Sequence, residues 1–369
     1  MRDHLYGGFY GRIDGNNNII AGAPKGGILN ARILWTFSAV YNRLGDSAML
    51  STASLAAEYI LQNFFDNMNG GTWWSIDYKG EVLDKKKQIY SQAYFVYALS
   101  EYYRASGDEK YLNKAIELYR LIEKYAYDKG NGGYFEAFGP NWQNINDQRL
   151  SAKDANEKKS MNTHLHILEA YSNLYSVWPD EILRKKIYEI INLFTSKIID
   201  NKTGHLNLFF DEHWNIRSGI ISYGHDIEAS WLLCEAASSL GDNELYDSIK
   251  TVSIRMANAS LEGIQDDGSM VYERSESEGF TDMERHWWVQ AEAVVGLINA
   301  CELTAEKKYL THAVKCFNYI SENLVDKEHG EWYWSIRSDG SINWEGDRAG
   351  FWKCPYHNSR MCLEIMKRL

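Results

Sequence analysis

The stretch Ser222-Tyr-Gly-His225-Asp-Ile-Glu228-Ala-Ser-Trp231-Leu232 sets an imidazole and a carboxylate three residues apart, ahead of an apolar run. At 3.6 residues per turn, His225, Glu228 and Leu232 share one helix face. Ser222 is a residue type that caps helix N-termini, so the pair is predicted in the first turns of a buried helix whose polar end lines a pocket. The positive end of the helix dipole favours the neutral imidazole there, the form that accepts a proton. A single histidine of this kind serves as readily to bridge two core helices. Recurrence is what points to chemistry. Arg32, Tyr90, Asn162 with His166, Trp287-Trp288 with Glu292, and Trp352 with His357 each stand near the start of a further helical stretch. Asn162 and His166 are spaced i, i+4, as are Trp288 and Glu292. His357 follows Pro355, which suits a first turn. Alone, His166 reads as structural and Trp287-Trp288 as core.

The residue types narrow the chemistry. No HExxH or comparable short spacing offers zinc its ligands, and His164-Leu-His166 places its imidazoles on different helix faces. A Gly-x-Ser-x-Gly elbow, a Walker loop and a dinucleotide fingerprint are absent. Two carboxylates across a sugar would serve a glycosidase, and Glu228, Glu292, Asp154 and Asp226 leave that possibility open. Histidines gathered at one mouth point instead to proton transfer near neutral pH.

The elements that must position these residues recur along the chain. Gly27 to Leu44 carries helical periodicity with Arg32 embedded in it, Gly45-Asp46 interrupts, and Ser47 to Phe65 forms a second amphipathic helix. A glycine-and-aromatic stretch follows at Gly70-Gly-Thr-Trp-Trp. The same unit repeats with breaks at Gly107-Asp108, Pro179-Asp180, Gly241-Asp242 and Thr304-Ala305, a period of roughly 60–70 residues that marks a repeat architecture. In each copy the first helix is apolar all round and the second carries charge on one face. That contrast predicts an all-α fold, an (α/α)6 barrel or double-layered helical toroid, with inner helices parallel and their N-terminal ends at one mouth. Residues 1–369 are expected to form a single catalytic domain. About eleven helices are expected, because residues 1–6 are too short for a twelfth.

Composition agrees. A hydrophobic share of 45% fills a large core, and 13 Trp and 25 Tyr supply aromatic surfaces of the kind that line sugar clefts. Four prolines in 369 residues fit long uninterrupted helices. A net charge of −11 disfavours nucleic acid and anionic membrane as partners. Five cysteines without a CxxC pair fit reduced thiols, and the first residues lack an apolar leader. A soluble, cytoplasmic and most simply monomeric protein is the expectation.

Five blocks then carry a resemblance over nearly the whole chain. These are Lys-Gly-Gly-Ile-Leu-Asn-Ala-Arg32-Ile-Leu-Trp, Met161-Asn-Thr-His-Leu-His166, Ser222-Tyr-Gly-His225-Asp-Ile-Glu228, Arg285-His-Trp-Trp288-Val-Gln-Ala-Glu292 and Gly350-Phe-Trp352-Lys-Cys-Pro-Tyr-His357-Asn-Ser-Arg. They resemble the motifs of cellobiose 2-epimerases within the N-acylglucosamine 2-epimerase group. The resemblance implies an (α/α)6 barrel that epimerises the reducing-end sugar of β-1,4-disaccharides (cellobiose, lactose, mannobiose) at C2, with neither metal nor other cofactor. It implies that His225 and His357 are the acid/base pair, and that Arg32, His166 and Glu228 hold the C1–C2 oxygens and the opened ring. Tyr90, Asp154, Asn162, Trp288, Glu292 and Trp352 would then shape the sugar subsites. Isomerases and monosaccharide epimerases of the same group, and a glycoside hydrolase on a helical toroid, are the alternatives. The group carries a first helix ahead of Gly-Gly-Phe-Tyr-Gly that is nearly all missing from this sequence. Self-association through the side so uncovered is a corollary.

Overall fold

The computed structural model describes residues 1–275 and 278–368. Among them lie eleven α-helices: α1 (Gly27–Leu44), α2 (Ser47–Asn63), α3 (Ile89–Ser106), α4 (Glu109–Tyr125), α5 (Met161–Val177), α6 (Glu181–Leu193), α7 (Tyr223–Ser239), α8 (Asn243–Ser260), α9 (Trp287–Thr304), α10 (Lys307–Tyr319) and α11 (His357–Arg368). The breaks are local chemistry. Gly45, Gly107 and Gly241 adopt positive φ, the left-handed conformation in which glycine ends a helix without a Cβ clash. The aspartate that follows each glycine then opens the next helix: Asp46, Asp108 and Asp242 accept from the N–H groups of Ala48, Lys110 and Leu245. Asp180 caps α6 in the same way. Each such cap is worth about 1 kcal/mol.

Packing separates two layers. Every residue of α3 from Ile89 to Tyr102 is buried, whereas α4 buries only one stripe, including Tyr111, Ala115, Leu118 and Ile122. The odd-numbered helices pack side by side in sequence, and α11 meets both α9 and α1, so the inner ring closes with six members. Five even-numbered helices lie outside it. Ahead of α1 the chain forms short antiparallel bridges, Arg2 to Phe9 and Ile13 to Ile19. Ile13 also bridges Ala349, and Arg12 pairs with Asp347, which stitches the start of the chain to the loop before α11.

The hairpins all serve the mouth. A short strand leading into an inner helix pairs antiparallel with the hairpin that follows its outer partner, as Lys25–Gly26 does with Ser75–Ile76 and Lys87–Gln88 with Ala137–Phe138. Buried ion pairs fasten the same region: Lys25 to Asp3, Lys87 to Asp66 and Lys159 to Asp128, at 2.9, 2.8 and 2.7 Å. In each, a lysine just ahead of an inner helix meets an aspartate in the preceding turn. Removal of either partner would strand a buried charge, a loss of about 3–5 kcal/mol. The N-terminal ends of the inner helices are therefore pinned in place.

Candidate active site

At the mouth of the inner ring lies a cavity of about 620 Å³, within the range of small-molecule sites. Arg32, Tyr90, Asp154, Asn162, His166, His225, Glu228, Trp288, Trp352 and His357 all line it. They come from the six inner helices, the Gln148–Glu157 loop and the turn before α11. Short helices meeting at their N-terminal ends bring together residues more than three hundred positions apart in sequence.

Arg32 is 4% exposed and makes no ion pair with a carboxylate among the described residues. Its guanidinium donates to the carbonyl of Trp352 and to the hydroxyls of Tyr90 and Tyr94, at 2.8, 3.0 and 2.8 Å. It lies over the ring of Tyr94, 4.5 Å from the centroid. A buried cation held only by neutral partners keeps its field available to an anion in the cavity.

The three cavity histidines His166, His225 and His357 have Nδ1 occupied by the protein. His357 Nδ1 lies 2.7 Å from Glu292 Oε1, His166 Nδ1 lies 2.9 Å from Glu169 Oε2, and His225 Nδ1 lies 2.8 Å from Ser222 Oγ. Glu292 also accepts from the indole N–H of Trp231 and from Arg360, which are donors only. Two of its partners being donors only, Glu292 is placed to accept from His357 Nδ1 as well, an arrangement that leaves the Nε2 lone pair for the cavity. Burial, with a smaller contribution from the nearby His166, lowers the His225 imidazole to about 3. Burial, Arg32 and Arg360 hold His357 well below the usual histidine range. Both rings are therefore neutral at pH 7. The sequence reading assigned this neutrality to the helix dipole; desolvation is the larger cause.

Both rings pack against one indole. Trp288 lies 4.7 Å from His225 and 5.8 Å from His357, centroid to centroid. Glu228, 1% exposed, accepts from Arg360 at 2.5 Å and makes no other protein hydrogen bond among the described residues. Burial and the neighbouring Glu292 outweigh Arg360 and raise the Glu228 carboxyl to about 8. It stands protonated at neutral pH and can donate to an oxygen in the cavity. Asn162 adds a buried side-chain oxygen without a protein partner among the described residues.

Glu228, Glu292 and His357 also bring ligand atoms within 4.8 Å of one another, a spacing that could hold a metal ion. The Arg360 guanidinium already bonds both carboxylates. A cation is thus built into that position from the chain itself.

Residues 8–359 match the N-acylglucosamine 2-epimerase (GlcNAc 2-epimerase) family. The chain belongs to this family. It is a carbohydrate epimerase. It is 50% identical to the cellobiose 2-epimerase of Bacteroides fragilis, over 99% of this chain and 93% of that one. It is 40% identical to the cellobiose 2-epimerase of Dictyoglomus turgidum, over 100% of this chain and 94% of the relative. The solved structure of the cellobiose 2-epimerase from Bacillus thermoamylovorans superposes with a TM-score of 0.95 at 40% identity, covering 100% of this chain and 94% of that one.

Against the expectations for this epimerase, one placement differs. Glu292 does not line the cavity; it stands behind His357. Position i+4 from Trp288 shares its helix face but lies one turn, about 5–6 Å, deeper along the axis. Ser222 holds the predicted N-cap position, but its hydroxyl turns to His225 instead of a backbone N–H. Residues that sequence reasoning left without a role are Tyr94, Glu169, Trp231, Tyr272, His286, Tyr356 and Arg360. Tyr272 and His286 stack at 4.2 Å and line the outer cavity. Arg360 lay in a quoted motif, three residues after His357, where a charge facing the ring interior was the available signal. No described helix is long and apolar enough to cross a membrane.

Proposed function

We propose that this epimerase inverts C2 of the reducing-end sugar of a β-1,4-linked disaccharide by proton transfer between His225 and His357. With the ring open, the aldehyde acidifies the C2 proton. One imidazole takes that proton on Nε2, and the electron pair moves into the C1–C2 bond as an enediolate. Arg32 faces the developing oxyanion, where a preorganised buried cation is worth several kcal/mol. The other histidine takes up a solvent proton as the anion forms opposite it and delivers that proton from Nε2 to the other face of C2, while the first imidazolium returns its proton to solvent. The roles exchange in the reverse direction. Glu228 donates a hydrogen bond to a sugar oxygen, and His166 and Asn162 hold others. Trp288 and Trp352 present aromatic faces to the sugar rings, and the Gln148–Glu157 loop with Tyr272 and His286 forms the outer part of the cavity for the second unit.

The observation that supports this reading is the pair of buried imidazoles packed against Trp288, beside an arginine that meets no carboxylate among the described residues. The names of the relatives support the choice of disaccharide. Incubation with cellobiose, lactose or β-1,4-mannobiose, followed by sugar analysis, tests it. The expected product is the C2 epimer at the reducing end with the glycosidic bond intact. Monosaccharide products would make the protein a hydrolase, and a ketose as sole product would make it an isomerase.

A further inference from the structure

Behind the cavity wall, one side chain ties the histidines together. Arg360 on α11 is 2% exposed and does not line the cavity. Its Nη2 donates to Glu292 Oε1 at 2.7 Å and to Glu228 Oε1 at 2.5 Å, and its Nη1 donates to Glu169 Oε1. Glu292 in turn holds His357 Nδ1, and Glu169 holds His166 Nδ1. Tyr356 completes the set, accepting from Arg360 and donating to Glu169 at 2.7 and 2.8 Å. The guanidinium also lies over the rings of Tyr356 and Trp231, 4.7 and 5.0 Å from their centroids. The fork is thus fixed in plane by stacking and in direction by three carboxylates.

We infer that Arg360 is a positioning residue that sets two histidine tautomers at once, holding His357 through Glu292 and His166 through Glu169 with both protons on Nδ1. The inference rests on the two-histidine reading above. A carboxylate orients an imidazole only if its own lone pairs are directed and it remains ionised. Three carboxylates buried around one cation cannot all stay ionised, because burial and mutual repulsion drive a proton onto the group. Arg360 decides where that proton goes. Glu169 takes two charge-assisted bonds and His166, and it stays ionised; burial opposes this, but Arg360 and His166 hold it at about 2. Burial raises the Glu292 carboxyl, but Arg360 and Trp231 oppose that shift, and both are donors only, so the geometry favours the carboxylate there. Glu228, with one bond to Arg360, takes the proton at the cavity wall. The same fork therefore keeps both imidazole holders anionic and leaves a neutral carboxyl facing the sugar. Lysine, a point charge without the planar fork, cannot bond all three at these angles.

The test uses the full chain labelled with 15N-histidine, its His166 and His357 signals assigned through His166→Gln and His357→Gln. In wild type, both residues are expected as neutral rings with the proton on Nδ1 from pH 6 to 9. In Arg360→Gln the rings are expected to lose that uniform state, with Nε2–H signal at His357. Turnover on cellobiose should fall on the order of 10²-fold with KM within about threefold. The acid limb of its pH profile should move up, because Arg360 charge lowers both imidazoles. Arg360→Lys should recover the position of the acid limb and only part of the turnover; if Arg360→Gln does not fold, this variant decides. A wild-type His357 with its proton on Nε2 would overturn the inference, as would Arg360→Gln with unchanged tautomers and pH profile, or, where only it folds, Arg360→Lys with unchanged tautomers and full turnover. Failure of the two-histidine reading shows separately, as epimerisation by His225→Ala or His357→Ala at near wild-type rate.

Discussion

Glu292 Oε1 lies 2.7 Å from Nδ1 of His357, on the side of the imidazole away from the cavity. Its contact with the reaction is through the ring it holds. Glu292→Gln is expected to lower turnover on the order of 10²-fold and leave KM near its wild-type value. A variant that raised KM with turnover unchanged would return Glu292 to the cavity wall.

Glu228 differs because it faces the cavity with its carboxyl raised to about 8. The protonated donor form is present below that pH and lost above it. The kcat/KM profile is therefore expected to fall as pH rises through about 8, the region set by this raised carboxyl. Glu228→Gln, which keeps an N–H donor at every pH, should flatten that basic limb while retaining part of the activity. Persistence of the same limb in Glu228→Gln would assign it to another group.

Chelation bears on the cluster of Glu228, Glu292 and His357. Since Arg360 bonds both carboxylates, exhaustive EDTA treatment is expected to leave epimerisation unchanged. Loss of activity restored by one divalent cation would contradict the account of that cluster.

Buried neutral histidines also set the acid stability. Burial lowers His225 and His286 to about 3 and His164 to about 4, from 6.5 in the unfolded chain. Between those values the unfolded chain binds protons that the native chain does not. Their contribution is thus fully present above pH 6.5 and lost as pH falls toward 3. The melting temperature is expected to drop by several degrees from pH 7.5 to pH 5. A flat melting temperature across that range would show these rings to be exposed or paired with anions.

How much of this was legible in the sequence depends on the range of the interactions. The breaks at Gly45-Asp46, Gly107-Asp108 and Gly241-Asp242 were readable because a left-handed glycine and an aspartate cap act within four residues. The inner and outer layers were readable because helical periodicity reports how many faces are covered, as in α3 against α4. Ten of the eleven expected cavity residues line the cavity, since the first turns of parallel inner helices share one mouth. Glu292 was misplaced because i, i+4 spacing fixes a face and not a depth. Arg360 was missed because its meaning lies in Glu169, Glu228 and Glu292, which reach it from three other helices. Glycine and aromatic stretches marked the hairpins without revealing that their aspartates meet Lys25, Lys87 and Lys159.

Proton exchange at C2 tests the central claim most directly. The wild-type protein is incubated with cellobiose in D2O, and the product epimer is examined by NMR at C2 of its reducing-end sugar. Transfer through solvent-exchangeable histidines predicts deuterium at C2 of that epimer. It also predicts loss of interconversion on the order of 10²–10⁴-fold in His225→Ala and in His357→Ala, either of which can still exchange the proton of one epimer. A product epimer that keeps its original hydrogen at C2, or near-normal interconversion by either variant, would contradict proton transfer between His225 and His357.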